Sequence, residues 1–210
     1  MSVNQQQEVL ILSFAQFDNN WNSLQQFLEQ QAYPPYIITD NMDLSNSNVV
    51  SLGNLISVEG NLYLQGSSIE SLGSLESVNG GLDLCGTPIK SLEKVRSVGG
   101  YLNLINSGIE SLGELISVGS GFDLYGTSIT TLGNLTSVGS YFSLEKTNIT
   151  SLGNLTSVGN TLILANAKVE SFGNLSFVGS NLYLEGSPLS EVYTKEQIRE
   201  MIEVVGEIYL

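Results

Sequence analysis

Apolar side chains fall at fixed intervals along most of this chain. From residue 41 to residue 190 the sequence divides into blocks of 20 without insertion or deletion. With residue 41 as slot 1, apolar residues recur at slots 2, 4, 9, 12, 15 and 18. Slot 2 reads Met42, Leu62, Leu82, Leu102, Phe122, Phe142, Leu162 and Leu182, and slot 4 is leucine from Leu44 to Leu184. Slots 2 and 4 alternate with largely polar slots 1, 3 and 5. That period of two predicts a short β-strand with one buried face. Slots 9, 12, 15 and 18 step by three, which suits neither a helix stripe nor a strand. They predict turns, 3₁₀ pieces or short bent strands. Slots 10 to 20 are rich in Ser, Thr, Gly and Val, which are poor in helix interiors. Glycine at most slot 13 positions, such as Gly53 and Gly133, and around slots 19 and 20 predicts corners.

A strict period of this length predicts a solenoid. One coil cannot bury its own apolar residues, but stacked coils bury them against each other at a strand spacing of ~4.8 Å. Each buried Leu, Ile or Val then contributes ~1.5–3 kcal/mol. Slot 7 (Ser47, Ser67, Thr87 and onward) and slot 17 (Ser57 to Ser157, then Phe177) are expected to be inward hydroxyl columns.

The flanks read differently. Residues 1–40 are expected to form an N-terminal helical cap. Leu10, Phe14, Phe17, Trp21, Leu24 and Leu28 make a helical stripe, with Asp18 as the N-cap of a second helix and Pro34-Pro35 as its end. Tyr36 to Asp40 resembles slots 16–20. Residues 41–190 are the solenoid. Residues 191–210 carry a capping box at Thr194 to Gln197. That helix is expected to reach about Val205, and Ile208-Tyr209-Leu210 to add a last strand. An edge strand there offers pairing to a second copy, a homodimer. The whole is one continuous domain.

The pattern L-x-L-x-x-[TS]-x-I-x-S-L-x-x-L-x-S-V resembles leucine-rich repeats, and more closely the repeats of receptor L domains. Residues 134–144 (NLTSVGSYFSL) and 154–164 (NLTSVGNTLIL) carry the likeness. It covers about 70% of the chain. Thr or Ser stands where leucine-rich repeats have Asn, and no cysteine-rich caps flank the array. The resemblance implies a right-handed parallel β-solenoid with a binding face on its main sheet. It implies no catalytic residue.

Composition narrows function. The chain has no His and one Cys, which removes Ser-His-Asp and Cys-His machinery and any intramolecular disulfide. Seven Lys and Arg stand against 21 Asp and Glu, for a formal charge of −14. That argues against nucleic acid and anionic membrane as partners. No apolar run approaches the ~18 residues of a membrane span. Met1 to Gln7 lacks Lys and Arg, so no signal peptide is expected and the default compartment is the cytosol.

Slots 1, 3 and 5 point outward from the main strand. They hold five of the nine Tyr (Tyr63, Tyr101, Tyr125, Tyr141, Tyr183) and the acids Asp43, Asp83, Asp123, Glu145 and Glu185, with Asn103 among them and no Lys or Arg. Tyr gives rigid amphipathic contact area, and carboxylates favour cationic partners. The expected site is a binding face of Tyr63, Asp83, Tyr101, Asn103, Asp123, Tyr125, Tyr141 and Tyr183. The expected function is a non-catalytic scaffold without cofactor or metal that binds a protein or peptide of basic character.

Several alternatives stand beside it. Strand propensity alone also favours Tyr at such slots, which would fit a spacer that binds nothing. Tyr with Asp and Asn also suits sugar hydroxyls, so a glycan-binding module is the main alternative. A glycan-active enzyme using Asp83 and Asp123 is a lesser one, because two coils put them ~9–10 Å apart, at the limit for paired acids. Asp83, Asn103 and Asp123 also offer oxygen ligands for Ca²⁺, without any Asp-rich turn motif. Cys85, at slot 5, reads as an inert surface thiol. The Asn-x-Ser/Thr matches at Asn134, Asn148, Asn154 and Asn174 follow from the repeat. Residues 1–89 carry no Lys or Arg, and Lys90, Lys94 and Arg96 form one basic band.

Overall fold

The computed structural model of the chain describes residues 8–210. The expectation about positions 1–7 concerns residues outside that range. The chain forms a parallel β-solenoid, mainly β. Each coil contributes one short strand to a front sheet at slots 2–3 and one to a back sheet at slots 17–18. Among the described residues the front sheet has nine strands, from Met42–Asp43 to Leu182–Tyr183 and finally Ile208–Tyr209. Among the same residues the back sheet has ten, from Leu10–Leu12 and Tyr36–Ile38 to Glu203–Val204. Pairing within the repeats is parallel with a 20-residue register, as Phe122 faces Phe142 and Val118 faces Val138. Isolated bridges such as Ser51 to Ser71 mark a third side at slot 11. The segment stepping by three is therefore part strand and part turn.

All the apolar slots close into one core cluster. Slot 4 is buried throughout, and slot 2 holds a stacked pair, Phe122 on Phe142, with ring centroids 5.0 Å apart and planes at 11°. Slot 7 points inward as expected. The hydroxyls of Ser47, Thr87, Thr127 and Thr147 donate to the slot 4 carbonyl three residues back, at 2.6–2.8 Å. Slot 17 does not point inward. Ser57 to Ser157 and Phe177 are half-buried, because alternation along the back strand sends slot 18 valine into the core and its neighbour outward.

Two columns set the corners. Slot 6 is left-handed in every coil, with φ of 51–71° at Asn46, Gly66, Gly86, Asn106, Gly126, Lys146, Asn166 and Gly186. Slot 11 hydroxyls accept the slot 13 amide, from Ser51 taking Gly53 N at 3.2 Å to Ser171 taking Gly173 N at 3.1 Å.

The flanks correct three expectations. Leu10–Leu12 is a strand of the back sheet, Phe14–Phe17 is 3₁₀, and only Trp21–Gln30 (α1) is α-helical. A short apolar run fits a strand and a helix equally, and here pairing with Tyr36–Ile38 decides it. Asp18 and Asn19 are left-handed, so Asn20 is the N-cap, its side chain accepting from Ser23 N at 3.1 Å. α1 buries Leu24 and Leu28 in the core.

At the other end Pro188–Val192 (α2) and Lys195–Met201 (α3) are helical. The Thr194 capping box is present. α3 stops at Met201 rather than near Val205, because Glu203–Val204 is drawn into the back sheet beside Phe177–Val178. Ile208–Tyr209 adds to the front sheet as expected. Among the described residues no helix is long and apolar enough to cross a membrane.

Asp40 ties the N-terminal segment to the first coil. Its carboxylate accepts from Phe14 N at 2.7 Å, Ala15 N at 3.1 Å and the Ser13 hydroxyl at 2.7 Å. Partial burial opposes ionisation, but these donors together outweigh it and hold the carboxyl below its ordinary value. A lowered folded value stabilises the fold above the unfolded value, and that contribution disappears as pH falls through the folded one. Urea midpoints measured from neutral to acid pH should therefore fall less steeply in Asp40→Asn than in the wild type. Identical pH slopes would remove Asp40 from the account.

Candidate functional site

The expected face exists as one surface. Slot 3 of the front sheet lines up Asp43, Tyr63, Asp83, Asn103, Asp123, Ser143, Ile163, Tyr183 and Tyr209 in register. Tyr101 and Tyr141 lie at slot 1 and Tyr125 at slot 5. All eight expected residues are half-buried except Tyr101, which is exposed.

The polar members have a local duty that the sequence reading missed. Asp83 Oδ1 accepts Cys85 N at 3.0 Å, Asn103 Oδ1 accepts Ile105 N at 3.1 Å, and Asp123 Oδ1 accepts Tyr125 N at 2.9 Å. Asp43 does the same with Ser45 N at 3.0 Å. These are turns in which an Asx side chain bonds the amide two residues on. The signal was present as Asp or Asn three residues before the Gly/Asn column of slot 6. One carboxylate oxygen of each Asp is thus committed to its own loop.

The tyrosines show a second order, with a period of two coils. The Tyr101 ring lies against Gly81, at slot 1 of the preceding coil, where a side chain would collide with it. Tyr141 likewise follows Gly121 at slot 1, but more loosely, since a Cβ there would meet it only at 3.8 Å, an ordinary contact. Each such Tyr follows a coil with Asp at slot 3, Asp83 and Asp123. The Tyr141 hydroxyl donates to Asp123 Oδ2 at 3.4 Å. Burial, then the charges of Asp123 and Glu145, push the Tyr141 phenol up, against a lowering by Ser143. Burial, Asp83 and Tyr63 do the same for Tyr101. Farther along, Tyr183 stacks on Tyr209 at 4.5 Å and 6°.

The face is not free of cations, as slots 1, 3 and 5 alone suggest. Lys146, at slot 6, reaches back over it. Its Nζ lies 4.8 Å from the Tyr125 ring centroid and donates to the Tyr125 hydroxyl at 2.6 Å. The basic band is engaged elsewhere. Lys90 pairs with Glu110 at 2.7 Å and Arg96 with Glu114 at 3.0 Å, both well exposed. Pairs of that kind contribute ~0–1 kcal/mol.

Family models, curated proteins and solved structures hold no match to this chain.

Burial, then Asp83 and Asp123, pushes the Cys85 thiol up, which favours the protonated, less nucleophilic form. Among the described residues no group of three or more His, Cys, Asp or Glu side chains is placed to hold a metal ion. The clearest concavities lie at the N-terminal end, between α1 and the first coil. One, of about 340 Å³, is lined by residues including Leu28, Tyr33, Tyr36 and Leu52. The other, of about 440 Å³, includes Trp21 and Val50. Neither is lined by a residue of the Tyr and Asp face.

Proposed function

We propose that this chain is a non-catalytic binding scaffold whose front face takes a protein or peptide of basic character. The observation that carries the reading is the bond from Tyr141 to Asp123, with Tyr101 following Asp83 at the same slots two coils earlier on one surface. A flat ring beside a carboxylate suits a Lys or Arg side chain, by cation–π attraction and charge together. Lys146 on Tyr125 shows the chain's own ammonium held on a ring of the same face. The acidic balance of the sequence works in the same direction by steering cationic partners.

The leucine columns support placing the repeat near the leucine-rich-repeat and L-domain type, and α1, α2 and α3 as covers for the two ends. A glycan remains the second reading, favoured by the exposed Tyr101 ring with Asp and Asn beside it. The edge strand Ile208–Tyr209 remains the place where a homodimer would pair.

Titration calorimetry with a Lys/Arg-rich peptide separates the first two readings. The double variant Tyr101→Ala, Tyr141→Ala should weaken peptide binding about tenfold or more, since ring truncation at a hot spot costs at least ~2 kcal/mol. Binding should also weaken with added salt. Unchanged affinity in a folded variant would reject the face. Salt-insensitive binding to glycans, with none to the peptide, would favour the second reading.

A further inference from the structure

In the repeating coils, the back-sheet carbonyls at slots 16, 18 and 20 are taken by the coil that follows, the first by the next slot 16 amide, as Ile116 O takes Thr136 N at 2.8 Å. The slot 18 carbonyl accepts the next slot 19 amide, as Val118 O takes Gly139 N at 2.8 Å and Val158 O takes Gly179 N at 2.9 Å. The slot 20 carbonyl accepts the next slot 20 amide, as Ser120 O takes Ser140 N at 3.1 Å. The pattern holds up to the last coil, where Val205 N reaches Val178 O at 3.0 Å and Gly206 N reaches Ser180 O at 2.9 Å. The carbonyls equivalent to slots 18 and 20 in that last coil belong to Val204 and Gly206. Arg199, an exposed residue of α3, fills both places. Its Nη1 donates to Val204 O at 2.6 Å and its Nη2 to Gly206 O at 2.7 Å.

A guanidinium is a rigid fork of donors, so its two nitrogens take the places that two amides of the following coil take elsewhere. The opposite end of the sheet has a matching arrangement. There the slot 19 amide of Ser13 goes to Gln16 Oε1 at 3.3 Å and the slot 20 amide of Phe14 to Asp40 Oδ1 at 2.7 Å. Side chains take the place of backbone at both ends, with acceptors at the donor end and a donor at the acceptor end.

We propose that Arg199 is a plug that keeps a strand from a second copy of this chain from adding to the back sheet at Glu203–Val204. Bare edges of parallel sheets template such addition. The strand that fits this edge needs paired amides at slots 19 and 20, which is the pattern the chain itself repeats. Exposed apolar side chains favour the same contact, with Val205 at this end and, at the other, Ile11 on the edge strand and Val9 just before it. Joining one end to the other is a heterologous contact that does not close, so it would build chains of copies rather than a dimer.

Sedimentation velocity on the full chain over a wide concentration range tests this. Arg199→Ala should raise the mass average about twofold or more over wild type at high concentration, as expected for open-ended association. Arg199→Lys, which lacks the fork, should fall between them. Methylguanidinium should return Arg199→Ala to the wild-type mass. A folded Arg199→Ala with wild-type mass at every concentration would overturn the proposal. So would assembly that methylguanidinium leaves unchanged, because that would reflect lost charge rather than a vacated site. Loss of the far-UV circular dichroism signal in both Arg199→Ala and Arg199→Gln would also overturn it, by making Arg199 a residue needed for folding.

Discussion

Gly139→Val should cost ~3 kcal/mol or more of stability and disrupt the middle of the solenoid. A Cβ at Gly139 would lie 2.1 Å from Gly119 O and 2.8 Å from the carbonyl carbon. Both are backbone atoms of the neighbouring coil, so no side chain can move aside. The same approach recurs at Gly119, Gly159 and Gly179, each 2.1 Å from the slot 19 oxygen of the preceding coil. Gly133 provides the control. It has φ +57°, but a Cβ there meets nothing within 4 Å. Gly133→Ala should cost only the backbone strain of a left-handed alanine, ~1 kcal/mol. Urea unfolding followed by circular dichroism compares the two. Equal losses would mean that contact between coils is not what fixes glycine at slot 19.

The second large effect lies in the core. Phe142→Ala should lose ~3–5 kcal/mol through cavity formation, with ~0.5–1.5 kcal/mol more from the broken stack on Phe122. Phe142→Leu should lose less than ~1.5 kcal/mol, because leucine fills slot 2 in most other coils. The measurement is again the urea midpoint at constant slope. A leucine variant as damaged as the alanine variant would show that the stacked pair, rather than volume, determines that layer.

The solenoid was readable because its signal repeats. Slots 2, 4, 9, 12, 15 and 18 each recur down the chain, and a single ambiguous Leu cannot mask a column. Where a segment occurs once, the reading weakened. Leu10 to Leu12 matched a helix stripe as well as a strand, and only pairing with Tyr36–Ile38 separates the two. Ile202 to Val205 continued a helical pattern, yet the back sheet takes Glu203–Val204. The slot 17 serines were misplaced for a different reason. Small hydroxyls suit both an inward column and the outer side of a strand, so composition could not choose.

The face was legible as a set of residues and not as a set of bonds. Alternation put Tyr63, Asp83, Asn103 and Asp123 on one side. It did not reveal that Asp83, Asn103 and Asp123 each hold their own turn, nor that Lys146 folds back onto Tyr125. Arg199 gave no sequence signal at all, since its role depends on where the last coil leaves its carbonyls.

The 20-residue register has a consequence for how the molecule comes together. Within the repeats each sheet pairing joins residues one coil apart in sequence, as Ser57 to Ser77 and Leu162 to Leu182 do. Forming one more coil therefore closes a loop of the same modest length wherever growth has reached, and the entropic toll does not climb as the structure extends. Assembly of this kind behaves as a one-dimensional lattice, in which a few adjacent coils nucleate and the rest zip on from either side. Nucleation need not begin at a fixed place, and the terminal coils, with a neighbour on one side only, are the first to fray.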